Sequence, residues 1–184
     1  MNFEETEIKG CYLISPTVFE DDRGEFFRYF CENEFKKEIR NLNFVQFNQS
    51  INFKKGTFRG LHYQVPPFCE AKLVRCVRGS IQDYILDIRE GSETFLKHLK
   101  IELSEENKKI LFICEGVAHG FQTLEDNTQL LYHHTEVYNK DADRGIRYND
   151  PRVNIELALP ISQVSEKDLN YPELKEFQGI KYEM

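Results

Sequence analysis

Residues 72 to 89, KLVRCVRGSIQDYILDIR, carry the pattern that decides the fold. Two apolar runs of strand length flank Arg78-Gly79-Ser80, and a glycine between two such runs is typical of a tight turn. The second run alternates in character, as a strand with two different faces does. The stretch therefore predicts a β-hairpin. One face of its second strand carries Gln82, Tyr84, Leu86 and Ile88, and the other carries Ile81, Asp83, Ile85 and Asp87.

Short apolar or alternating runs, each bounded by turn residues, continue from Phe44 to about His134. This spacing predicts an all-β sandwich or barrel. No internal repeat and no low-complexity linker divides the chain, so residues 1 to 184 are expected to form a single domain. One short peripheral helix is predicted in NEFKKEIR, with Asn33 as its N-cap and Phe35 on its apolar side.

The composition excludes several classes of partner. The formal net charge is -7 and the pI is near 5.3, whereas nucleic acids and anionic membranes bind basic surfaces. The first residues do not have the pattern of a secretion signal, and no stretch approaches about 18 consecutive apolar residues, so a cytoplasmic protein is predicted. The 5 cysteines are odd in number and lack C-x-x-C spacing, which argues against disulfides and zinc clusters.

Residues 58 to 64, FRGLHYQ, place a histidine and an arginine three positions apart among apolar neighbours. In a regular strand His62 would lie on one face and Arg59 on the opposite face. Taken alone, a strand histidine is more often a core residue satisfied by a neighbour than a catalytic base, by about two to one. Lys72 is either a solvated residue at a sheet edge or a cation that points into a pocket. Neither His62 nor Lys72 establishes a site by itself.

Two further segments carry histidines. In GVAHGF, His119 lies beside Gly120, where backbone can approach a ligand closely, although a turn explains the glycines equally well. In LLYHHTEVY, His133 and His134 are consecutive on a predicted strand and face opposite sides, so they cannot hold one ion together. Metal sites generally need three or more protein ligands, so no catalytic metal is expected. Tyr132 in the same run is compatible with simple packing.

The segment SEKD near the C-terminus has two open interpretations. Ser165 and Asp168 match the S-x-x-D capping box of a short helix. A carboxylate that fixes the tautomer of a distant histidine would look the same in sequence. Asp168 is therefore either a helix cap or the partner of a histidine.

Ten short motifs follow one another from about Asp22 to Asp168, over most of the chain. They are DDRGEFFR, FVQFNQS, FRGLHYQ, KLVRCVRGSI, LDIREGSETF, ELSEENKK, GVAHGFQTL, LLYHHTEVY, RGIRYNDP and SEKD. In order and spacing they resemble the dTDP-4-dehydrorhamnose 3,5-epimerase family. The resemblance implies a cupin-like β jelly roll with a few short peripheral helices, without metal or other cofactor. It also implies a homodimer that acts on a nucleotide-diphosphate-linked 4-keto sugar.

The resemblance implies a reaction as well. A proton next to the C4 ketone, at C3 or C5, is removed, and a proton is returned to the opposite face of the sugar ring. His62 matches the base, and Asp168 matches the carboxylate that stabilises the imidazolium. Lys72 matches the lysine that stabilises negative charge on the C4 oxygen. Tyr132 matches the tyrosine that protonates the other face.

The resemblance assigns substrate contacts to further positions. Arg23, Arg59 and His119 match contacts to the phosphates and the sugar, and Tyr138 matches an aromatic ring that stacks on the base. In the family, N-terminal strands are exchanged between subunits, so that Arg23 and Arg28 would serve the neighbouring site. The other matched positions are Gln46, Asn48, Asp143 and Lys167.

Departures from the family pattern bear on the nucleotide. The motif RGEFFR carries Arg28 in place of a contact near the base, where thymidine-specific members carry glutamate. Phe47 and Gln49 replace an aspartate and a histidine, and Cys114 replaces a proline. A donor guanidinium in place of an acceptor carboxylate changes which base edge is read. The substrate is therefore interpreted as a GDP-linked 4-keto heptose or deoxyhexose destined for a surface polysaccharide.

Several alternatives stay open. The chain could be the dTDP-L-rhamnose pathway enzyme proper, could invert only C3 or only C5, or could be a catalytically inactive protein that binds sugar nucleotides. The joint presence of Lys72, Tyr132 and Asp168 disfavours a 3,4-ketoisomerase. A metal-dependent cupin oxygenase would need ligands in addition to His62 and His119. Because both the base and the acid are retained, the favoured class is an isomerase, specifically a carbohydrate epimerase.

Overall fold

The computed structural model describes residues 1–181, which contain thirteen strands and two short helices. The predicted all-β architecture with a few short helices is confirmed. The strands are β1 Asn2–Glu5, β2 Tyr12–Ser15, β3 Val18–Asp21, β4 Gly24–Phe27, β5 Gln46–Asn52, β6 Phe58–Gln64, β7 Lys72–Arg78, β8 Ser80–Asp87, β9 His98–Ser104, β10 Ile110–Ile113, β11 Val117–Thr123, β12 Thr128–His134 and β13 Asp143–Gly145. The helices are α1 Glu32–Glu38 and α2 Glu166–Leu169.

Two sheets of antiparallel strands form a β jelly roll. The larger sheet has the strand order β1-β2-β10-β7-β12-β5, and the smaller has the order β13-β6-β11-β8-β9. One hydrophobic cluster contains side chains of both sheets, such as Val74 and Leu130 from the larger and Ile85 and Phe121 from the smaller. The sheets therefore face each other across a shared core. Strands β3 and β4 pair only with each other in a separate hairpin, within the described part of the chain.

The hairpin predicted in residues 72 to 89 is wrong in its pairing. Strand β7 lies in the larger sheet between β10 and β12, whereas β8 lies in the smaller sheet between β11 and β9. Gly79, at φ +71°, turns a corner between the sheets, and a Cβ there would lie 2.8 Å from Thr128 Oγ1. The glycine correctly indicates a reversal of the chain, but a reversal does not fix the partner of each strand.

The predicted alternation of β8 is confirmed. Ile81 and Ile85 belong to the core between the sheets. Tyr84, Leu86 and Ile88 belong to a second hydrophobic cluster, on the outer face of the smaller sheet. The C-terminal segment covers this face with Ile146, Val153, Ile155, Leu174 and Ile180. The same segment continues through α2, which packs against β6.

Helix α1 begins earlier than predicted. Cys31 occupies the N-cap position without a side-chain capping bond, and Asn33 lies inside the helix, so the prediction of Asn33 as N-cap is wrong. The position of the helix follows from Phe35, which is completely buried. Its ring centroid lies 5.1 Å from that of Phe3 and 4.7 Å from that of Phe30. Aromatic packing thus places the helix and overrides the capping preference of asparagine.

Strand β6 contains a β-bulge. In its pairing with β11, the two residues Gly60 and Leu61 face the single residue Gly120. The extra residue changes the phase of the strand, so that Arg59 and His62 both line the same cavity. The prediction that these two side chains lie on opposite faces is therefore wrong, because it assumed a regular period of two.

Replacing Gly60 with alanine is expected to destabilise the protein by about 3 kcal/mol, which lowers Tm by about 10 °C. Gly60 has φ +133°, and a Cβ there would lie 2.4 Å from Gly120 Cα. Thermal unfolding followed by circular dichroism measures the effect. The matched control is Gly91→Ala, because Gly91 also has a positive φ, +74°, but no atom within 4 Å of the added Cβ. Equal losses in the two variants would show that the close approach of β6 to β11 is unimportant.

Candidate active site

A cavity of about 250 Å³ lies between the two sheets. Strand pairing brings its polar residues together in pairs. On the smaller sheet His62 pairs with His119. On the larger sheet Lys72 pairs with His134, and Tyr132 pairs with Asn48. The full lining is Asn48, Gln49, Ser50, Arg59, His62, Lys72, His119, Gly120, Phe121, Tyr132 and His134.

His62 is paired with a buried carboxylate. Its Nε2 lies 2.7 Å from Asp168 Oδ1, and the backbone N–H of Gly60 donates to Asp168 Oδ2 at 3.2 Å. Burial raises the pKa of Asp168, but the hydrogen bond from His62 and the smaller contributions that follow it bring that pKa below its ordinary value. An ionised carboxylate only accepts hydrogen bonds, so Nε2 carries the proton. The other ring nitrogen, Nδ1, is then the free basic atom of His62.

In the segment SEKD, Ser165 is the helix cap and the side chain of Asp168 is the partner of a histidine. The Ser165 hydroxyl accepts the backbone N–H of Asp168 at 3.0 Å and caps α2, as the capping box predicts. The carboxylate of Asp168 is directed to His62 and to Gly60. Helix α2 therefore fixes the residue that orients the histidine.

Lys72 points into the cavity and is not a solvated edge residue. It is 6% exposed, and its Nζ lies 3.1 Å from Glu70 Oε1. The ammonium also donates to the backbone carbonyl of His62 at 3.4 Å. The sequence interpretation missed Glu70, whose second oxygen lies 2.8 Å from His134 Nδ1. Its only sequence signal is a carboxylate two positions before Lys72.

Because of Glu70, the free energy of unfolding is expected to decrease as the pH falls into the acid range. Burial raises the pKa of its carboxyl, but Lys72 and His134 lower that pKa from 4.5 to about 2. A depressed pKa contributes stability that is present above about pH 4.5 and is lost as the pH falls toward 2. The difference corresponds to about 3 kcal/mol. Urea unfolding between pH 6 and pH 2 should show a flatter dependence in Glu70→Gln than in the wild type, and parallel curves would contradict this assignment.

Tyr132 faces the cavity with its hydroxyl hydrogen-bonded. The hydroxyl lies 3.0 Å from Ser50 Oγ, and burial raises the pKa of the phenol well above its ordinary value, so it is protonated at neutral pH. Asn52 Nδ2 donates to Ser50 Oγ at 3.3 Å, and Asn52 Oδ1 accepts from Arg59 Nε at 2.8 Å. A chain of hydrogen bonds therefore connects the Arg59 guanidinium with the Tyr132 hydroxyl.

His119 is held by a second carboxylate that the sequence interpretation did not assign. Its Nε2 lies 2.8 Å from Asp83 Oδ2, and Asp83 is completely buried. Asp83 alternates with Ile81 and Ile85 on the inward face of β8. A carboxylate at a core position is rare unless it is paired, and this was the signal available in the sequence.

Four of the predicted binding residues form a group beside His62. Strand β13 pairs with β6 so that Gly145 lies opposite His62 and Asp143 lies opposite Gln64. Asp143 Oδ2 accepts from the Tyr138 hydroxyl at 3.0 Å and forms an ion pair with Lys167. Gln46 Oε1 accepts the backbone N–H of Tyr138 at 3.0 Å. The members of this group are Gln46, Tyr138, Asp143 and Lys167.

Arg23 and Arg28 lie away from the cavity of their own chain. Arg23 lies in the turn of the β3–β4 hairpin, is 89% exposed at its side chain and pairs with Asp21. The Arg28 side chain is 62% exposed and pairs with Glu34 at 2.6 Å. Neither arginine lines the cavity. A single subunit therefore does not bring these two predicted binding residues to the site.

Two further predictions concern metal ions and membranes. Within residues 1–181, no three His, Cys, Asp or Glu side chains are grouped as a metal ion requires. No helix in this part of the chain is long and apolar enough to cross a membrane. The absence of a cofactor and the cytoplasmic location remain predictions.

The jelly roll and its cavity define the class of protein. A histidine–carboxylate pair, a lysine and a tyrosine lie at one cavity of this fold, and these are the residue types that an isomerase of the carbohydrate epimerase class would need. The family model described as dTDP-4-dehydrorhamnose 3,5-epimerase matches residues 5–176. The chain belongs to the dTDP-4-dehydrorhamnose 3,5-epimerase family.

Individual relatives resemble the chain over nearly its whole length. The dTDP-4-dehydrorhamnose 3,5-epimerase of Sinorhizobium fredii is 41% identical over 186 residues, which cover 98% of this chain and 95% of that protein. The structure of a dTDP-6-deoxy-D-glucose-3,5-epimerase from Legionella pneumophila, in complex with dTDP-4-keto-L-rhamnose, has a TM-score of 0.92 and 33% identity, and covers 100% of this chain and 99% of that one. A 3'-monoepimerase from Streptomyces bikiniensis, in complex with dTDP-quinovose, has a TM-score of 0.87 and 26% identity, and covers 93% and 87%. The predicted family, cupin-like fold and enzyme class are confirmed.

Proposed function

We propose that this protein epimerises a dTDP-linked 4-keto-6-deoxy sugar at C3 and C5. The observation that carries the proposal is the cavity in which His62, held by Asp168 of α2, lies on one sheet and faces Lys72 and Tyr132 on the other. The relatives named above refer to dTDP sugars, which favours this nucleotide. A GDP-linked substrate finds no support among these relatives.

The mechanism follows from the positions of the four groups. His62 Nδ1 takes the proton from the carbon next to the C4 ketone, and Asp168 stabilises the imidazolium that forms. The electrons of the broken C–H bond move to the C4 oxygen, where the ammonium of Lys72 stabilises the enolate. Tyr132 gives its proton to the opposite face of the same carbon, because β12 and β6 belong to opposite walls of the cavity. The sugar then has the inverted configuration at that carbon, His62 is protonated and Tyr132 is ionised, and proton exchange with solvent resets both groups before the second carbon reacts.

The diphosphate requires local positive charge, since the net charge of the chain is -7. Arg59 lines the cavity, and its Nε is bound by Asn52, which fixes the direction of the guanidinium. A guanidinium so held suits bidentate contact with a phosphate. His119, Gln46, Asn48, Tyr138, Asp143 and Lys167 are proposed as the further contacts to the sugar, the phosphates and the base.

Proton NMR in D2O tests the function. With freshly generated dTDP-4-keto-6-deoxyglucose, the wild type is expected to incorporate deuterium at both C3 and C5, whereas His62→Ala incorporates none. A GDP-linked 4-keto sugar is the comparison substrate. We expect its deuterium exchange to be at least about tenfold slower than that of the dTDP-linked sugar, because guanine does not match the contacts made to thymine. Exchange at C3 alone would make the protein a monoepimerase. Binding without any exchange would favour an inactive sugar-nucleotide-binding protein.

We also propose that the protein is a homodimer in which the β3–β4 hairpin completes the partner's cavity. The hairpin has no other strand beside it among the described residues, and it exposes Phe19 by 64% and Phe26 by 73%. Aromatic surface of this kind is typical of an interface. Arg23 at its turn would then reach the neighbouring site.

Subunit mixing tests this arrangement. Arg23→Ala and His62→Ala are each expected to be nearly inactive, and a mixture of the two is expected to regain about a quarter of the wild-type rate, since half of randomly formed dimers would contain one intact site. If Arg23 acts within its own chain, no activity returns on mixing. Sedimentation of each variant confirms that dimers form.

A further inference from the structure

One carboxylate at the cavity has no part in the mechanism above. The side chain of Glu70 is 9% exposed, and its two oxygens have different partners. Oε1 lies 3.1 Å from Lys72 Nζ, and Oε2 lies 2.8 Å from His134 Nδ1. Because Lys72 and His134 pair across β7 and β12, Glu70 joins two neighbouring strands on one wall of the cavity.

The hydrogen bond between Glu70 and His134 determines which ring nitrogen of His134 carries the proton. An ionised carboxylate only accepts hydrogen bonds, so Nδ1 of His134 carries a proton. In a neutral imidazole Nε2 is then an acceptor, and Asn48 Nδ2 lies 3.3 Å from it. Asn48 donates to His134 through its amide nitrogen. Its carbonyl oxygen is left as the acceptor that a sugar hydroxyl in the cavity can meet.

We propose that Glu70 is a positioning residue that acts on the substrate through two routes. Through Lys72 it holds the ammonium where the enolate oxygen forms. Through His134 it fixes the orientation of the Asn48 amide. The carbonyl oxygen of Asn48 then faces the substrate and accepts a hydrogen bond from a sugar hydroxyl. The inference rests on the proposed epimerase function for its kinetic consequences, but not for the hydrogen bonds themselves.

The two routes have different kinetic effects. Charge on the C4 oxygen develops only in the transition state, so loss of the Lys72 route lowers kcat. Asn48 contacts the bound sugar in the ground state and in the transition state alike, so loss of the His134 route raises KM and leaves kcat nearly unchanged. A residue that only stabilises the fold would produce neither pattern.

The tautomer of His134 is measured directly by ¹⁵N NMR of the imidazole nitrogens in the wild-type protein. The chain has 5 histidines, and the resonances missing from the His134→Gln spectrum identify those of His134. We expect a neutral ring protonated at Nδ1. A ring protonated at Nε2 overturns the proposal. The measurement needs no turnover, so it decides the Glu70–His134 link even if no 4-keto sugar exchanges deuterium and the proposed function fails.

Steady-state kinetics test the two routes. Glu70→Gln is expected to lower kcat about 10- to 100-fold, and Glu70→Asp, which keeps the charge, should restore part of the loss. His134→Leu is expected to raise KM about fivefold with kcat within about twofold of the wild type. Wild-type kinetics in a folded Glu70→Gln variant would overturn the proposal.

The matched control is Glu115→Gln. Glu115 is also a buried carboxylate, 8% exposed, and it is paired with Arg40 outside the cavity lining. This variant should lower Tm without changing kcat or KM. If Glu115→Gln and Glu70→Gln lower kcat equally, Glu70 is only a structural residue and the proposal is wrong.

Discussion

Replacing His62 with asparagine is expected to lower kcat about 10³-fold. The asparagine amide retains a polar group beside Asp168 but cannot accept a proton from carbon, and general-base catalysis contributes about 10² to 10⁴. Deuterium incorporation at C3 and C5, measured by proton NMR, should fall with kcat. KM should change little, because His62 interacts most strongly with the transition state.

A related prediction concerns Asp168→Asn, which changes the residue that is paired with His62. The amide can donate to His62 Nε2 and so place the ring proton on Nδ1, where the basic atom is needed, and kcat is expected to fall about 10²- to 10⁴-fold. The control is Ser165→Ala, which removes the cap of α2 at 3.0 Å but leaves the carboxylate in place. That variant should lose about 1 kcal/mol of stability and keep kcat within about threefold. An Asp168→Asn variant with wild-type kcat would contradict the assigned role of the carboxylate.

The second large effect is expected for Lys72→Met. Methionine is similar in length but carries no charge, so the enolate oxygen loses its cation, and kcat should fall about 10²- to 10³-fold. The substitution also leaves Glu70 as a buried carboxylate without its ammonium partner, which costs about 3 kcal/mol. Stability and activity therefore have to be separated by a second variant.

The double variant Lys72→Met/Glu70→Gln separates them. Removal of both charges is expected to restore most of the stability, measured by urea unfolding, because no unpaired charge remains buried. Activity should stay low, since the cation is still missing. If the double variant regains wild-type kcat, Lys72 has only a structural role.

The sequence was most informative where a local pattern decides the structure. Alternation in β8 assigned Ile81 and Ile85 to one face and Tyr84 to the other, and the structure confirms both faces. The Ser165 cap was also predicted correctly, because a capping box involves only neighbouring residues. The pairing of β7 with β8 was wrong, because the choice of strand partner depends on residues far away in the chain.

In the active site, too, the contacts that the sequence did not predict join residues that are far apart in the chain. The hydrogen bond between Glu70 and His134 joins residues 64 positions apart, and the one between Asp83 and His119 joins residues 36 apart, so no local sequence pattern indicates either contact. The phase change at Gly60 was missed for a different reason. A bulge adds one residue to a strand without any change in its apolar character, and only the pairing with β11 reveals it.

The corner at Gly79 has a consequence for motion in the active site. Enzymes that close around a ligand move one body against another about a hinge. Here consecutive strands belong to opposite walls, with one residue between them, and each wall is tied to further strands by its own ladder. The walls are held together by this one-residue corner and by the hydrophobic core that both sheets share, and their separation would expose that core. Turnover should therefore be limited by the proton transfers or by passage through the mouth of a preformed cleft, and not by the opening of a lid.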